Sequence, residues 1–489
     1  MSNDIILTPE QEEAVNLIKN FLKSDNDESI FTLAGVGGSG KTTCIRKALE
    51  SKSNVVGATI SHSAKFVLAQ SLKNIASCYT IAQLLGLRQY INDDGKITFV
   101  PMMTDKPLPI DSASILVIDE CSMIDDKTLN MIMSKKNDWS KIIFLGDPYQ
   151  LPPIEGSDDS KTFDYTKCEL FEAVRYSGPI ADLGLIIRKE IDKLNEDKPA
   201  TKNVINHWMT GELSMEGRTS LVNEEGSGII FLNDIDLAVK IAVEEFKNNN
   251  NPEAMRLIAY KNSSITKIND VIRNQIYYDE KYLEENKEGE MELMLPEFMQ
   301  DELIISDGGY AVYDENGKRH SVIYNNQTFK VKGTIEIDNG PSGVPSLAMD
   351  LNPEVSLPQG TEIYVMNYEN EEGRRFYWDT INKLKANAKK DYKQWPIYHN
   401  FIQQFAWFSY SYAINSHKGQ GRTFKDTIVF ENDIFNIKKN TLKQKLQAMY
   451  VACTRASRRI YIYNERFRVD QSLLPENVKE ELKLLKESI

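Results

Sequence analysis

In Ile30-Phe31-Thr32-Leu33-Ala34-Gly35-Val36-Gly37-Gly38-Ser39-Gly40-Lys41-Thr42-Thr43 an apolar, strand-like run passes into a glycine-rich turn. From Thr43 to Leu49 the chain continues without glycine or proline, as a helix requires. Gly35, Gly40, Lys41 and Thr42 fill the fixed positions of the G-x-x-x-x-G-K-S/T pattern, in the strand–turn–helix context that gives the pattern meaning. Glycines at 35, 37, 38 and 40, with Ser39 among them, let the backbone aim its N–H groups inward at an anion. The helix that opens near Thr42 and Thr43 adds its dipole. Lys41 is expected to reach the β and γ phosphates and the Thr42 hydroxyl to sit on Mg²⁺. The ligand these residues predict is a nucleoside triphosphate.

Working outward, Val55-Val56-Gly57-Ala58, Ile115-Leu116-Val117-Ile118 and Ile142-Ile143-Phe144-Leu145 are continuous apolar runs. Such runs suit parallel strands buried on both faces. The expected fold class is therefore α/β, with ligands held by the loops at the carboxyl ends of the strands. Residues 88–107 interrupt the pattern with Asn92-Asp93-Asp94-Gly95 between two β-prone runs, a hairpin signal. A second α/β unit begins near residue 171 and includes the strand Arg256 to Tyr260. Ile265, Ile268, Ile272 and Ile276 follow at helical spacing, and an acidic stretch at 279–302 reads as a solvated linker or helix surface. From 303 to 366 short alternating strands with Gly308-Gly309, Asn316-Gly317 and Asn339-Gly340 turns suggest a small β-barrel. Residues 372–408 read as helical, basic and aromatic, broken in two by Pro396. The α/β pattern then resumes with Thr427 to Phe430, a helix around Leu442 to Cys453, and a strand from Arg459 to Tyr463.

The loops after the strands carry chemistry. Asp119-Glu120 ends one apolar run, which suits a first carboxylate on the magnesium shell and a second polarising the attacking water. Gly146-Asp147-Pro148-Tyr149-Gln150 ends another, placing the Gln150 amide where it meets the γ-phosphate or the water. Upstream, Gln11 in Leu7-Thr8-Pro9-Glu10-Gln11 has the paired donor and acceptor that an adenine edge demands.

The 489 residues suggest about three domains. A net charge of −13 argues against a general polyanion binder, though not against a narrow basic channel. Five scattered cysteines with no C-x-x-C spacing suit a reducing compartment rather than a disulfide or zinc framework. The start of the chain shows no signal peptide, and no run is long enough to span a bilayer, so a soluble, intracellular protein is expected.

Taken together, Leu-Thr-x-x-Gln at 7–11, the loop at 35–43, Asp119-Glu120-x-Ser-Met and Gly146-Asp147-x-x-Gln150-Leu-Pro-Pro resemble the ordered motifs of superfamily 1 helicases. Tyr412-Ala-Ile-Asn-Ser416-His417-Lys-Gly-Gln-Gly421 is similar to that family's fifth motif, and Tyr450-Val-Ala-Cys-Thr-Arg455-Ala to its sixth. Arg175 falls where the fourth supplies an arginine, with Arg188 a nearby competitor. The resemblance spans about residues 5–463 and points to the 5′-to-3′, RecD/Dda-like branch. It implies two RecA-like domains: 1–170, with a β-hairpin wedge at 88–107, and 171–302 with 409–489. An SH3-like barrel with a helical extension, 303–408, is inserted in the second. ATP and Mg²⁺ are then clamped between the domains, and Arg175 and Arg455 meet the γ-phosphate from the second, with Gly421 at its edge.

The resemblance also implies a path for single-stranded DNA over both domains, contacting Thr59, His62, Thr80, Ser416 and His417. Hydroxyls, imidazoles and aromatic faces suit a strand held without sequence readout. Phe99, at the tip or flank of the hairpin, is either a wedge against the terminal base pair or ordinary hairpin packing. Trp378, Tyr392, Trp395 and Trp407 have the same two readings, stacking or core. The basic stretches Lys383–Lys393 and Lys438–Lys445 are either solvated faces or part of the DNA path. The chain departs from the family pattern at Ala82, Asn415, Gly419 and Asn325-Asn326, none of which removes an ATPase residue. The activity implied is ATP-dependent unwinding of forked or tailed duplex DNA by a cytoplasmic monomer, in a bacterial or phage-infected cell. Single-strand-binding or replication proteins are its expected partners. An RNA helicase of the same superfamily and an ATP-gated DNA–protein remodeller are the alternatives. Replication, recombination and repair are not separated by these motifs.

Overall fold

The computed structural model describes residues 6–24, 28–91, 97–102, 106–153, 159–174, 178–195, 218–249, 251–278 and 295–487. Its frame is two six-stranded sheets. The first runs, edge to edge, Ala76–Thr80, Val55–Thr59, Ile115–Ile118, Lys141–Gly146, Ile30–Gly35 and Thr166–Leu170. All its neighbours are parallel. Alternation along each strand feeds two cores. Phe31, Leu33, Ile115 and Val117 pack with Ala14, Ile18, Ile45 and Leu49 of the helices Pro9–Lys23 and Lys41–Leu49. Ile30, Leu116 and Ile118 face the opposite layer with Ile132 and Leu84. Each such side chain, fully buried, contributes about 1.5–3 kcal/mol. The result is a rigid platform whose strand ends carry the loops at 36–40, 119–124 and 147–153.

The second sheet runs Leu221–Val222, Gly228–Leu232, Ala456–Tyr463, Phe424–Phe430, Met255–Ala259 and Ala413–Asn415. All its pairs are parallel except the first, which is antiparallel. Helices Pro179–Asn195 and Leu442–Cys453 cover one face, through Leu183, Ile187, Leu446 and Met449. Leu151, from a loop of the first sheet, is buried in the same cluster. The apolar stripe at 265, 268, 272 and 276 lies on the helix Asn262–Tyr277.

Between Asn262–Tyr277 and Phe424–Phe430 the chain builds a five-stranded antiparallel sheet. Its order is Tyr364–Met366, Ser346–Asn352, Thr328–Ile337, Leu303–Ser306 and Phe408–Tyr410. A separate ribbon pairs Tyr310–Tyr313 with Arg319–Ile323. Val312, Phe329, Leu351 and Val365 form the common core. Helices Glu371–Lys390 and Trp395–Ile402 follow. The division between them is not made by Pro396. The first helix ends at Lys390, and Pro396 sits in the opening turn of the second, where its missing N–H costs nothing. Trp395 is buried and Trp407 packs against the same helical core, whereas Trp378 and Tyr392 are exposed. A two-stranded hairpin, Leu87–Ile91 with Ile97–Pro101, leaves the first sheet. The turn at 92–96 lies outside the described residues, as does most of the acidic stretch at 279–302.

Candidate nucleotide site and strand cleft

At the carboxyl edge of the first sheet the glycine loop adopts a cradle. Gly38 and Gly40 have φ of 82° and 84°, in the left-handed region that glycine alone enters freely. A Cβ on Gly35 would stand 2.9 Å from Leu170 and from Ser39 Oγ, so the loop closes tightly on its own strand. The Ser39 hydroxyl oxygen is buried without a hydrogen-bond partner. The Lys41 ammonium donates to the carbonyls of Gly35 at 2.7 Å and Val36 at 3.0 Å, reaching back over the loop. Gln11 is buried: its amide nitrogen donates to the Ser39 carbonyl at 2.9 Å and its oxygen accepts from Thr8 N–H in a capping box. In this geometry Gln11 ties the first helix to the loop.

Across a cleft of about 430 Å³, lined also by Thr42 and Thr43, stand the acidic and arginine groups. Asp119 Oδ1 accepts from Glu120 N–H at 2.8 Å. Burial, with the Glu120 charge beside it, pushes the Asp119 carboxyl well above its ordinary value, and Lys41 pulls the other way. Glu120 itself sits at φ 56°, ψ 41°, which turns its side chain off the strand axis. The second sheet supplies Arg455. A Cβ placed on Gly37 would lie 3.2 Å from Arg455 Nη2 and 3.6 Å from Gln150 Nε2. Gly421, at φ 74°, approaches Glu120 closely enough that a Cβ would lie 3.3 Å from Oε1. Lys41, Asp119, Glu120, Gln150, Arg455 and Gly421 thus share one cleft. Arg175 lies outside the described residues. Its neighbour Val174 lines the cleft and donates its N–H to the Gly38 carbonyl at 2.9 Å. The competitor Arg188 pairs with Glu169 and lies 4.0 Å over the Tyr149 ring.

A second cleft, of about 1080 Å³, crosses both sheets and the inserted sheet. His62 and His417 line it. The other strand-contact residues are placed differently. Thr59 is fully buried and its hydroxyl donates to Ser61 O at 2.8 Å, shaping the turn before His62. Thr80 is buried, and its hydroxyl caps the short helix Ile81–Leu84 by accepting from Gln83 N–H. Ser416 is fully buried, with an unpartnered hydroxyl. Thr59 and Thr80 each end a strand, where the local backbone competes with a ligand for the hydroxyl. Phe99 lies on the hairpin's flank, in the strand Ile97–Pro101, and is 51% exposed. Asn415 caps Ser416–Gly419 by accepting from Lys418 N–H at 2.7 Å, so this departure from the family pattern keeps a capping side chain.

Residues 6–193 match the family described as an AAA domain. An uncharacterized protein of Acanthamoeba polyphaga mimivirus is 23% identical over 92% of this chain and 98% of its own length. The ATP-dependent DNA helicase Dda of Enterobacteria phage T4 is 27% identical over 56% of this chain and 58% of its own. The RecD subunit of the RecBCD enzyme from Buchnera aphidicola is 23% identical over 72% of this chain and 54% of its own. Through these relatives the chain is similar to superfamily 1 helicases of the Dda and RecD type. In this chain the structure adds groups that spacing alone did not single out. Asp147 is buried and accepts from Gly37 N–H at 3.1 Å and from the Tyr450 hydroxyl at 2.7 Å, joining the glycine loop to the second sheet's helix. Tyr324, from the turn between the ribbon strand Arg319–Ile323 and the sheet strand Thr328–Ile337, stacks on His62 with ring centroids 4.1 Å apart and planes 16° from parallel. Gln420 reaches across to Glu120 and Gln150 at 3.2 Å each. Asp147 and Gln420 lie inside the quoted motifs, which was a usable signal. Tyr324 has none, because its partner is more than 250 positions away in the chain.

Proposed function

We propose that this helicase hydrolyses ATP with Mg²⁺ to move 5′ to 3′ along single-stranded DNA and to open forked or tailed duplexes. The observation that carries this reading is the cleft in which the glycine loop of one sheet faces Arg455 of the other. A group that spans such a cleft draws the two sheets together, and its hydrolysis releases them. The residues fit a Mg²⁺–triphosphate. The glycine cradle, the unpartnered Ser39 hydroxyl and Lys41 suit phosphate oxygens, and Thr42 with Asp119 offers hard oxygen ligands to the metal. A magnesium ion held there would supply neutralisation of phosphate charge. Glu120 orients and polarises the attacking water, Gln150 reports the γ-phosphate, and Arg455, with Arg175, stabilises the charge of the transferring group.

The 1080 Å³ cleft, lined by elements of both sheets, is the proposed strand path. Opening and closing the nucleotide cleft changes the spacing of its two halves, which is how hydrolysis becomes translocation. The exposed ring of Phe99 on the hairpin is the proposed separating wedge. The inserted sheet, read as a barrel, covers the path from above. Strand separation on two matched duplexes, one with a 5′ tail and one with a 3′ tail, tests the reading. Opening of the 5′-tailed duplex alone, dependent on ATP and Mg²⁺, is expected. Opening from the 3′ tail would overturn the direction, and opening of neither would leave an ATP-driven remodeller.

A further inference from the structure

The turn Gln420–Arg422 stands at the meeting point of three regions. Gln420 Nε2 donates to Glu120 Oε2 and Gln150 Oε1, each at 3.2 Å, with Ser122 Oγ at 3.5 Å. Those acceptors all belong to the first sheet's loops, whereas Gln420 follows the short helix Ser416–Gly419, which leaves an edge strand of the second. Its own Oε1 is buried without a partner, so this side chain is held by what its N–H groups donate. Two residues on, the Arg422 carbonyl accepts from Arg455 Nη1 at 3.3 Å. The Arg422 guanidinium turns the other way and binds Asn326 O and Thr328 Oγ1 of the inserted sheet. One turn therefore touches the acidic group, the arginine and the roof of the strand cleft.

The same turn is fed by the short helix Ser416–Gly419, whose Lys418 reaches the strand cleft. Lys418 Nζ pairs with Asp307 Oδ1 at 2.8 Å. A phosphate entering this cleft competes with the Asp307 carboxylate for the same ammonium, and Gln420 is two residues away. A hydrogen bond donated to a carboxylate ties it to its donor. It also fixes the carboxylate's direction, and Glu120 is the group read above as the orienter of water.

We propose that Gln420 restrains Glu120, and that a DNA strand displacing Asp307 from Lys418 shifts the turn and frees Glu120 to engage water. On this view Gln420 is a positioning residue that makes ATP turnover depend on DNA. The proposal rests on the helicase reading above. The test compares Gln420→Met, which fills the same space without a donor, and Gln420→Glu, isosteric at this half-buried turn position and lacking the N–H groups. ATPase kcat and KM are measured without DNA and with saturating oligo-dT, beside thermal unfolding. Expected is a several-fold rise in DNA-free kcat in both variants, an unchanged KM for ATP and a smaller stimulation ratio. A DNA-free kcat that stays at the wild-type level or falls in parallel with the stimulated rate would overturn the restraint. A wild-type protein with no DNA-stimulated turnover would instead overturn the helicase reading.

Discussion

Lys41 folds its ammonium onto the carbonyls of its own loop, so the charge is held over the cradle before any phosphate contact is considered. Lys41→Ala is expected to lower ATP turnover by at least about 10³-fold, on the scale of removing a phosphoryl-transfer cation. The melting temperature should hardly change, since no core contact is lost. Normal turnover in that variant would remove the nucleotide site from residues 35–43. Phe99 poses the opposite case, a large apolar ring left half in solvent on a hairpin flank. Phe99→Ala should leave DNA-stimulated ATPase within about twofold of wild type and cut unwinding severely, because base stacking on an aromatic contributes about 1–3 kcal/mol. Intact unwinding would return Phe99 to ordinary packing. Gln11 illustrates how a residue's chemistry outruns its role. Its amide suits an adenine edge, yet here both ends of that amide are bound to Thr8 and Ser39.

Elements were legible where a periodic apolar pattern met a loop with special chemistry. The strands at 30–35, 55–59, 115–118 and 141–146, and the glycine loop between the first strand and its helix, follow from buried parallel runs and from glycine's access to positive φ. Illegible were contacts that need two distant elements to meet. The hydroxyls of Thr59 and Thr80 have the right chemistry for a strand, but each ends a β-strand and is used by the local backbone. Tyr324 could be found only after the inserted sheet was laid over the helix His62–Ser71. That stack has an acid-dependent consequence. Burial, with Lys65 nearby, pushes the His62 imidazole down to about 4 from an ordinary 6.5. Between those values the unfolded chain holds a proton that the folded chain does not, so stability is drawn down as pH falls from 6.5 towards 4 and is unaffected above 6.5. His62→Gln removes this titration, and its melting temperature should fall less than the wild type's between pH 6.5 and 4.5. Equal slopes would mean that folded His62 carries its proton.

Across the whole molecule an acidic surface coexists with a cleft proposed for a polyanion. The net charge of −13 is reconciled with that cleft by its lining. Among the described residues it presents one lysine, Lys418, with Lys65 close to the Tyr324 ring, and two carboxylates, Glu120 and Asp307; the rest is aliphatic, hydroxyl, aromatic, amide and imidazole. Binding should thus draw little on counterion release. For single strands the slope of log affinity against log salt is about −0.7 per phosphate neutralised, so one or two lysines give about −0.7 to −1.4. Fluorescence titration of oligo-dT across a salt series measures it directly. A slope steeper than about −3 would place the basic stretches at 383–393 or 438–445 on the strand. The inserted sheet carries a different consequence. It is entered by Leu303–Ser306 and left by Phe408–Tyr410, and these two strands lie side by side, Ile304 opposite Tyr410 and Ile305 opposite Ser409. Entry and exit adjoin, so chain added or deleted beyond that pair leaves the parallel sheet's registers untouched. For evolution, and for anyone recombining genes, residues 307–407 behave as a cassette: a module exchangeable at two neighbouring points while the engine beneath keeps its frame.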